Sequence, residues 1–294
     1  MPGSTPPTRI APGIFYVSPM KFFHLIRYVS LFASVALAAG QPVYESELLF
    51  AKEQVHNHSS MVVELPAGGL LAVWYRGSGE RQADDVQLMY ARKPIGGDWS
   101  KPAVLADTPG FPDCNPTVMI DSRRRLWLFW PVILANEWHT ALLKYKVSSN
   151  YADASKPPVW DVTDDLLFVP RNFAAKSLAV LEPMRQAAAP DSREAKWADT
   201  MIGRAKDKYF SRMGWMPRAH PVELPSGRII LPLYSDGYDY SLMAITDDGG
   251  KSWTSSEPIV AFGGDPAFHR AQTRRHAGHL YARQRPAAQA PPRL

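Results

Sequence analysis

Cysteine is almost missing: Cys114 is the only one in 294 residues. No internal disulfide can form, and a thiolate-rich metal site is excluded. A lone thiol is usually buried filler rather than a nucleophile. The body of the chain also lacks a basic surplus. The formal charge of +5 comes from the two ends, because residues 1–40 hold three basic groups and no acid, and residues 265–294 hold six Arg and one Asp. Between them 24 basic groups face 27 acidic ones, so the positive total makes no case for a nucleic-acid partner. A long apolar run is absent too. The best stretch, "YVSLFASVALAAG" (28–40), falls short of the roughly 20 residues needed to span a bilayer, so no stable membrane span is expected after processing.

Apolar residues are nonetheless plentiful, at 46% hydrophobic and 11% aromatic, enough to bury a large core as one big domain or two ordinary ones. The short apolar run follows Met20-Lys21 and Arg27 and precedes Ala36-Leu37-Ala38: a positive flank, an apolar centre and small residues, the pattern of an export signal. The mature chain is expected to begin near residue 39, with residues 1–39 as leader and Met20 as its natural start. An exported protein, periplasmic or extracellular, is implied.

Two segments align without a gap, "VELPAGGLLAVWY" (63–75) and "VELPSGRIILPLY" (222–234). Each joins two apolar strands through a Pro-x-Gly turn, which reads as a β-hairpin. The agreement continues in "QLMYARKPIGGDW" (87–99) and "SLMAITDDGGKSW" (241–253), and a degenerate third copy starts at "NPTVMIDSRRRLWLFWPV" (115–132) with "TALLKYKVSS" (140–149) after it. A four-stranded unit recurring at roughly 40–60 residues predicts propeller blades, because each unit needs neighbours to bury its faces. The exception is 172–215, rich in Ala, Lys, Arg, Glu and Met, with Leu178, Leu181 and Met184, then Trp197, Met201 and Ile202, at helical spacing. That spacing predicts a helical insertion broken near "APDS" (189–192).

After Gly264 the strand pattern stops, and residues 265–294 are Arg, Ala, Pro, His and Gln. One account is a basic disordered tail. Another is a shifted reading frame, since codons compatible with this stretch, read one base out of register, allow a further strand, an Asp-Gly turn and a strand. On that account the propeller portion is 40–264 and the tail is aberrant.

The stretch Thr246-x-Asp248-x-Gly250-x-Ser252-Trp253 resembles the Asp box of sialidases and related BNR-repeat β-propellers, and residues 44–260 are similar to that family as a whole. The resemblance implies an all-β fold, a six-bladed propeller truncated here to about four blades. It also implies that Thr246, Asp248, Gly250, Ser252 and Trp253 form a structural turn on the face away from the catalytic centre. A calcium loop is the rival reading of that turn, but the required oxygen ligands are not all present.

Family members remove a terminal sialic acid with three arginines on the carboxylate, an Asp as acid/base and a Tyr nucleophile activated by Glu. The resemblance places the acid/base at Asp84-Asp85, with Asp85 preferred; two acids solvating a loop are the plain alternative. Arg76 and Glu80 add to a polar cleft or form a surface turn. Where the family carries its first arginine, this chain has "HNHSS" (56–60); His56 and His58 then project from one strand face toward a sugar, or bind a metal with help. Two histidines alone assign no metal site, and no cofactor is implied. Arg218 and His220 enter a later strand facing the axis, and Asp236, Tyr238 and Asp239 follow as a loop. Arg123-Arg124-Arg125 fill a solvated turn. No nucleophilic Tyr can be placed. The expected function is an exported glycoside hydrolase-like protein acting on a glycan or small carbohydrate; the alternatives are a non-catalytic carbohydrate-binding propeller and an inactive product.

Overall fold

A computed structural model of the chain describes residues 44–153 and 155–260. The leader (1–39) and the tail (265–294) lie outside the described residues. The chain divides into two units after Leu48; Tyr44–Leu48 is exposed and carries neither helix nor strand, and all the elements below belong to the second unit.

Three antiparallel sheets account for most of the structure. The first contains β1 (His56–Glu64), β2 (Leu70–Gly77), β3 (Gln87–Lys93) and β4 (Ala103–Ala106). The second contains β5 (Thr117–Ile120), β6 (Leu126–Ile133), β7 (Ala141–Ser148) and β8 (Val162–Asp165). In the third, β10 (Val222–Glu223), β11 (Ile229–Ser235), β12 (Tyr240–Thr246) and β13 (Thr254–Ser255) run in order, and the short β9 (Trp215–Pro217) also pairs with β11. Each four-strand path is a meander, in which every strand pairs with its neighbour in sequence.

The β6 segment, "LWLFWPVI", is buried at every residue, and its two faces serve different cores. Leu126, Leu128, Trp130 and Val132 pack with Leu71, Val73, Tyr75 and Leu88 of the first sheet. Trp127 and Phe129 pack with Ile229, Leu231, Leu233 and Leu242 of the third. A strand covered on both faces loses the polar half of its alternation, which is why this run is continuously apolar. By contrast, β11 and β12 alternate buried and half-buried residues, as a sheet packed on one face should.

Helices α1 (Phe173–Ala187), α2 (Arg193–Lys206) and α3 (Lys208–Arg212) separate β8 from β9. Ser192 caps α2 by accepting from the Ala195 amide at 3.0 Å, and Asp207 caps α3 by accepting from the Tyr209 amide at 2.7 Å; such caps satisfy the free amides of a first turn. Phe173 and Leu181 of α1 enter the same core as Trp215, Tyr238 and Tyr240, so α1 covers one end of the third sheet. No helix among the described residues is long and apolar enough to cross a membrane.

The turn between β12 and β13 fastens the third sheet to the second. Inside it, the Thr246 hydroxyl donates to Asp248 Oδ1 at 2.8 Å and accepts from the Gly250 amide at 2.9 Å. The Ser252 hydroxyl and amide donate to the two Asp248 oxygens at 2.6 and 3.0 Å. These Ser252 bonds, followed by the Thr246 hydroxyl, hold the Asp248 carboxyl far below the usual carboxylate range. Outward, the Tyr145 phenol donates to the Gly250 carbonyl at 2.9 Å, and Trp253 meets Phe129 edge-on at 5.9 Å. Gly250 sits at φ +92°, and a Cβ there would lie 2.8 Å from the Trp127 ring. Only glycine meets both demands.

Candidate functional site

The candidate site forms at the ends of β1, β2 and β11 opposite the Asp248 turn. Register fixes this separation: Ile229 pairs with Thr246 at one end of the β11–β12 hairpin and Ser235 with Tyr240 at the other. At about 3.3 Å per residue, Tyr234 stands roughly 17 Å along the strand from the turn. Asp248 therefore cannot act on a ligand held at Tyr234.

In the first sheet, period-two alternation places His56, His58 and Tyr75 on one face, with His58 directly opposite Tyr75. The imidazoles lie 5.7 and 5.6 Å from the Tyr75 ring. Beyond β2 the chain turns back and brings Glu80 to the same place: the Tyr75 phenol donates to Glu80 Oε1 at 3.3 Å, and His56 Nε2 approaches that oxygen at 3.5 Å. Burial first, and then the Glu80 charge, push the Tyr75 phenol well above its usual range.

The third sheet contributes a matching arrangement. The Arg218 guanidinium donates to the Tyr234 hydroxyl at 3.2 Å and sits 5.7 Å over its ring. Asn115 Nδ2, from the segment just before β5, donates to the same hydroxyl at 3.3 Å. Burial raises the Tyr234 phenol, with Asp236 adding to the rise. Tyr75 lies in the hydrophobic cluster against which Tyr234 packs, so the two halves border one core. Tyr75 is 1% exposed, and both phenols are held in place by hydrogen bonds to charged side chains. Beneath them Cys114 is fully buried, and burial drives its thiol upward, leaving it inert.

The other residues singled out in the sequence fall as follows. Arg76 does not join Glu80: it is adjacent to Tyr75 and so faces the other side of β2, where its guanidinium pairs with Glu53 at 2.7 Å. Asp85 closes its own loop, accepting from the Ser78 amide at 3.0 Å and the Ser78 hydroxyl at 2.9 Å, and those bonds hold its carboxyl below the usual range. Asp84 accepts from Asn136 Nδ2 at 3.2 Å, which also donates to the Arg81 carbonyl. Arg218 and His220 do not enter a strand: both lie in the link between β9 and β10, two residues apart, and His220 Nδ1 is 3.3 Å from the Val118 carbonyl. Asp236 is exposed beside Arg218. Tyr238, expected in the same loop, turns inward instead and packs on Phe173 at 5.0 Å, because the large ring finds an apolar core under α1. Arg125 is tied to Asp121 at 2.7 Å and lies over Trp127 at 5.0 Å.

Three site residues were not singled out in advance: Tyr75, Tyr234 and Asn115. The two tyrosines are the last aligned position of the two repeats, 63–75 and 222–234, but the repeat does not set them apart from its other positions.

By fold and site, the chain is a mostly β protein of three antiparallel meanders with a polar cluster of His, Tyr, Glu and Arg at one set of strand ends. No family model matches the chain, and no curated protein matches it. Among solved structures it is similar to a leech intramolecular trans-sialidase complexed with 2,7-anhydro-Neu5Ac, at 12% identity over 79% of this chain and 48% of that one, TM-score 0.49. It is also similar to the NanB sialidase of Streptococcus pneumoniae, at 9% identity over 77% and 48%, TM-score 0.46, and to a GH43 β1,3-galactosidase, at 13% identity over 69% and 62%, TM-score 0.44. The chain spans about half the length of the two sialidases.

Proposed function

We propose that this chain is an exported, sialidase-type β-propeller protein whose three sheets are blades, and that it recognises a glycan at the strand-end cluster. The observation that carries the reading is the pairing of Tyr75 with Glu80 and of Tyr234 with Arg218 in two copies of one repeat, with both tyrosines bordering the same hydrophobic cluster. A carboxylate, a guanidinium and two imidazoles on a rigid sheet supply acceptors and donors for sugar hydroxyls, and the guanidinium matches a sugar carboxylate. The apolar run 28–40, with its charged flank and small-residue end, supports export.

Hydrolysis of a terminal sugar is the second reading, favoured by the 3.5 Å approach of His56 to Glu80, which sets a base beside a carboxyl. The bonds from Ser78 favour Asp85 as a loop-closing group over Asp85 as a proton donor. The test is binding and cleavage on a panel of glycans differing in the terminal sugar, sialylated ones included. Saturable binding of one terminal class, lost with Arg218→Ala, supports recognition. Release of the free sugar, abolished by Glu80→Gln, supports hydrolysis. Binding of nothing in the panel overturns both.

A further inference from the structure

The geometry points to a divalent transition-metal site, of the kind zinc occupies, formed by His56, His58 and Glu80. One ligand atom from each side chain lies within 4.8 Å of the others. His56 Nε2 and Glu80 Oε1 are 3.5 Å apart, close to the edge of about 3.3 Å expected of a tetrahedron with metal–ligand bonds of about 2.0 Å. The His58 ligand atom stands no more than 4.8 Å from either of them.

A second observation is independent of that spacing. His56 Nε2 is buried and makes no hydrogen bond among the described residues; its nearest polar neighbour is the Glu80 oxygen at 3.5 Å. An imidazole nitrogen withdrawn from water without a partner is costly, and coordination removes that cost. The surroundings also suit a cation. The Tyr75 phenol donates to Glu80 Oε1 and so orients the carboxylate as an outer-shell partner does. A β-bulge between His58 and Met61, with Ser59 at φ +54°, interrupts the ladder directly after the second histidine, the kind of irregularity that re-aims side chains beside functional sites.

Three protein ligands leave one position open, and His58 is the exposed member of the set, so that position faces solvent. Nitrogen and carboxylate donors without thiolate fit zinc and its neighbours better than magnesium or calcium. The proposal stands apart from the glycan reading, since cation binding is measured without a sugar. If both hold, Glu80 is a ligand and not a proton donor.

The experiment is calorimetric titration of the full chain with Zn²⁺ after treatment with EDTA and dialysis. One equivalent should bind, and His56→Ala and Glu80→Gln should each weaken binding by about tenfold or more, in line with a lost ligand or its outer shell. Arg76→Ala should bind as the parent does. Binding that is absent, or equal in all four proteins, overturns the site. Should the variants fail to fold, Co²⁺ added to the parent chain decides: strong visible absorption of four-coordinate cobalt supports the site, and weak six-coordinate absorption overturns it.

Discussion

Tyr75 and Tyr234 occupy the same place in two copies of one repeat, and each phenol is hydrogen-bonded to a charged side chain from the segment beside it, Glu80 at 3.3 Å and Arg218 at 3.2 Å. The partners carry opposite charge. Two equivalent positions thus build a site that is acidic on one side and basic on the other, which suits a polar ligand with a distinct orientation rather than an apolar one.

Gly250→Ala should destabilise the protein by roughly 2 kcal/mol or more, because a positive φ and a contact with the Trp127 ring are both violated. Gly227→Ala provides the control. It has φ +83° but nothing within 4 Å of its Cβ, so it should cost only about 1 kcal/mol of backbone strain. Thermal unfolding of both variants checks the difference, and equal losses would show that the Trp127 contact contributes nothing.

Tyr145→Phe removes the bond to the Gly250 carbonyl while leaving the ring that packs on Trp127. The loss should be about 1 kcal/mol, as for a single neutral hydrogen bond, with the urea midpoint lowered and the denaturant slope unchanged. A changed slope would mean that the third sheet no longer unfolds with the second.

Acid should weaken the protein through Asp248 and Asp85, whose folded carboxyls lie below their ordinary range. A depressed folded pKa contributes stability that is present above the unfolded value, about pH 4, and is lost as pH falls below it. Asp113 has the opposite sign: burial raises its carboxyl, so acid favours its folded form. Asp248→Asn isolates one contribution. The variant should be less stable than the parent at pH 7, and the gap should narrow toward pH 3; a gap constant with pH would contradict the assignment.

Much of the architecture was legible because the repeat carries it. Pro-x-Gly turns and short apolar strands mark hairpins, but nothing in the aligned segments sets Tyr75 and Tyr234 apart from their neighbours as site residues. The spacing of His56 and His58 was legible too, since residues two apart on a strand share a face. Glu80 was harder to place: it sits on a loop, and nothing local says that the loop folds back over Tyr75. The place of Arg76 was illegible for a related reason. Alternation separates it from Tyr75, but which face met the cleft depended on how β1 and β2 lie against the second sheet. Tyr238 misled because a tyrosine between two aspartates resembles a solvated loop, while its ring belongs to the core beneath α1.

The central claim, that a glycan is recognised at the strand-end cluster, is tested most directly by comparing Arg218→Ala with Arg76→Ala in equilibrium binding to the glycan panel. Both remove one arginine from a strand or its edge, but only Arg218 faces Tyr234. Loss of a charge-assisted hydrogen bond of about 1.5–3 kcal/mol predicts weakening by about ten- to a hundredfold for Arg218→Ala, and binding by Arg76→Ala equal to the parent. Equal weakening in the two variants, or none in Arg218→Ala, would contradict the account.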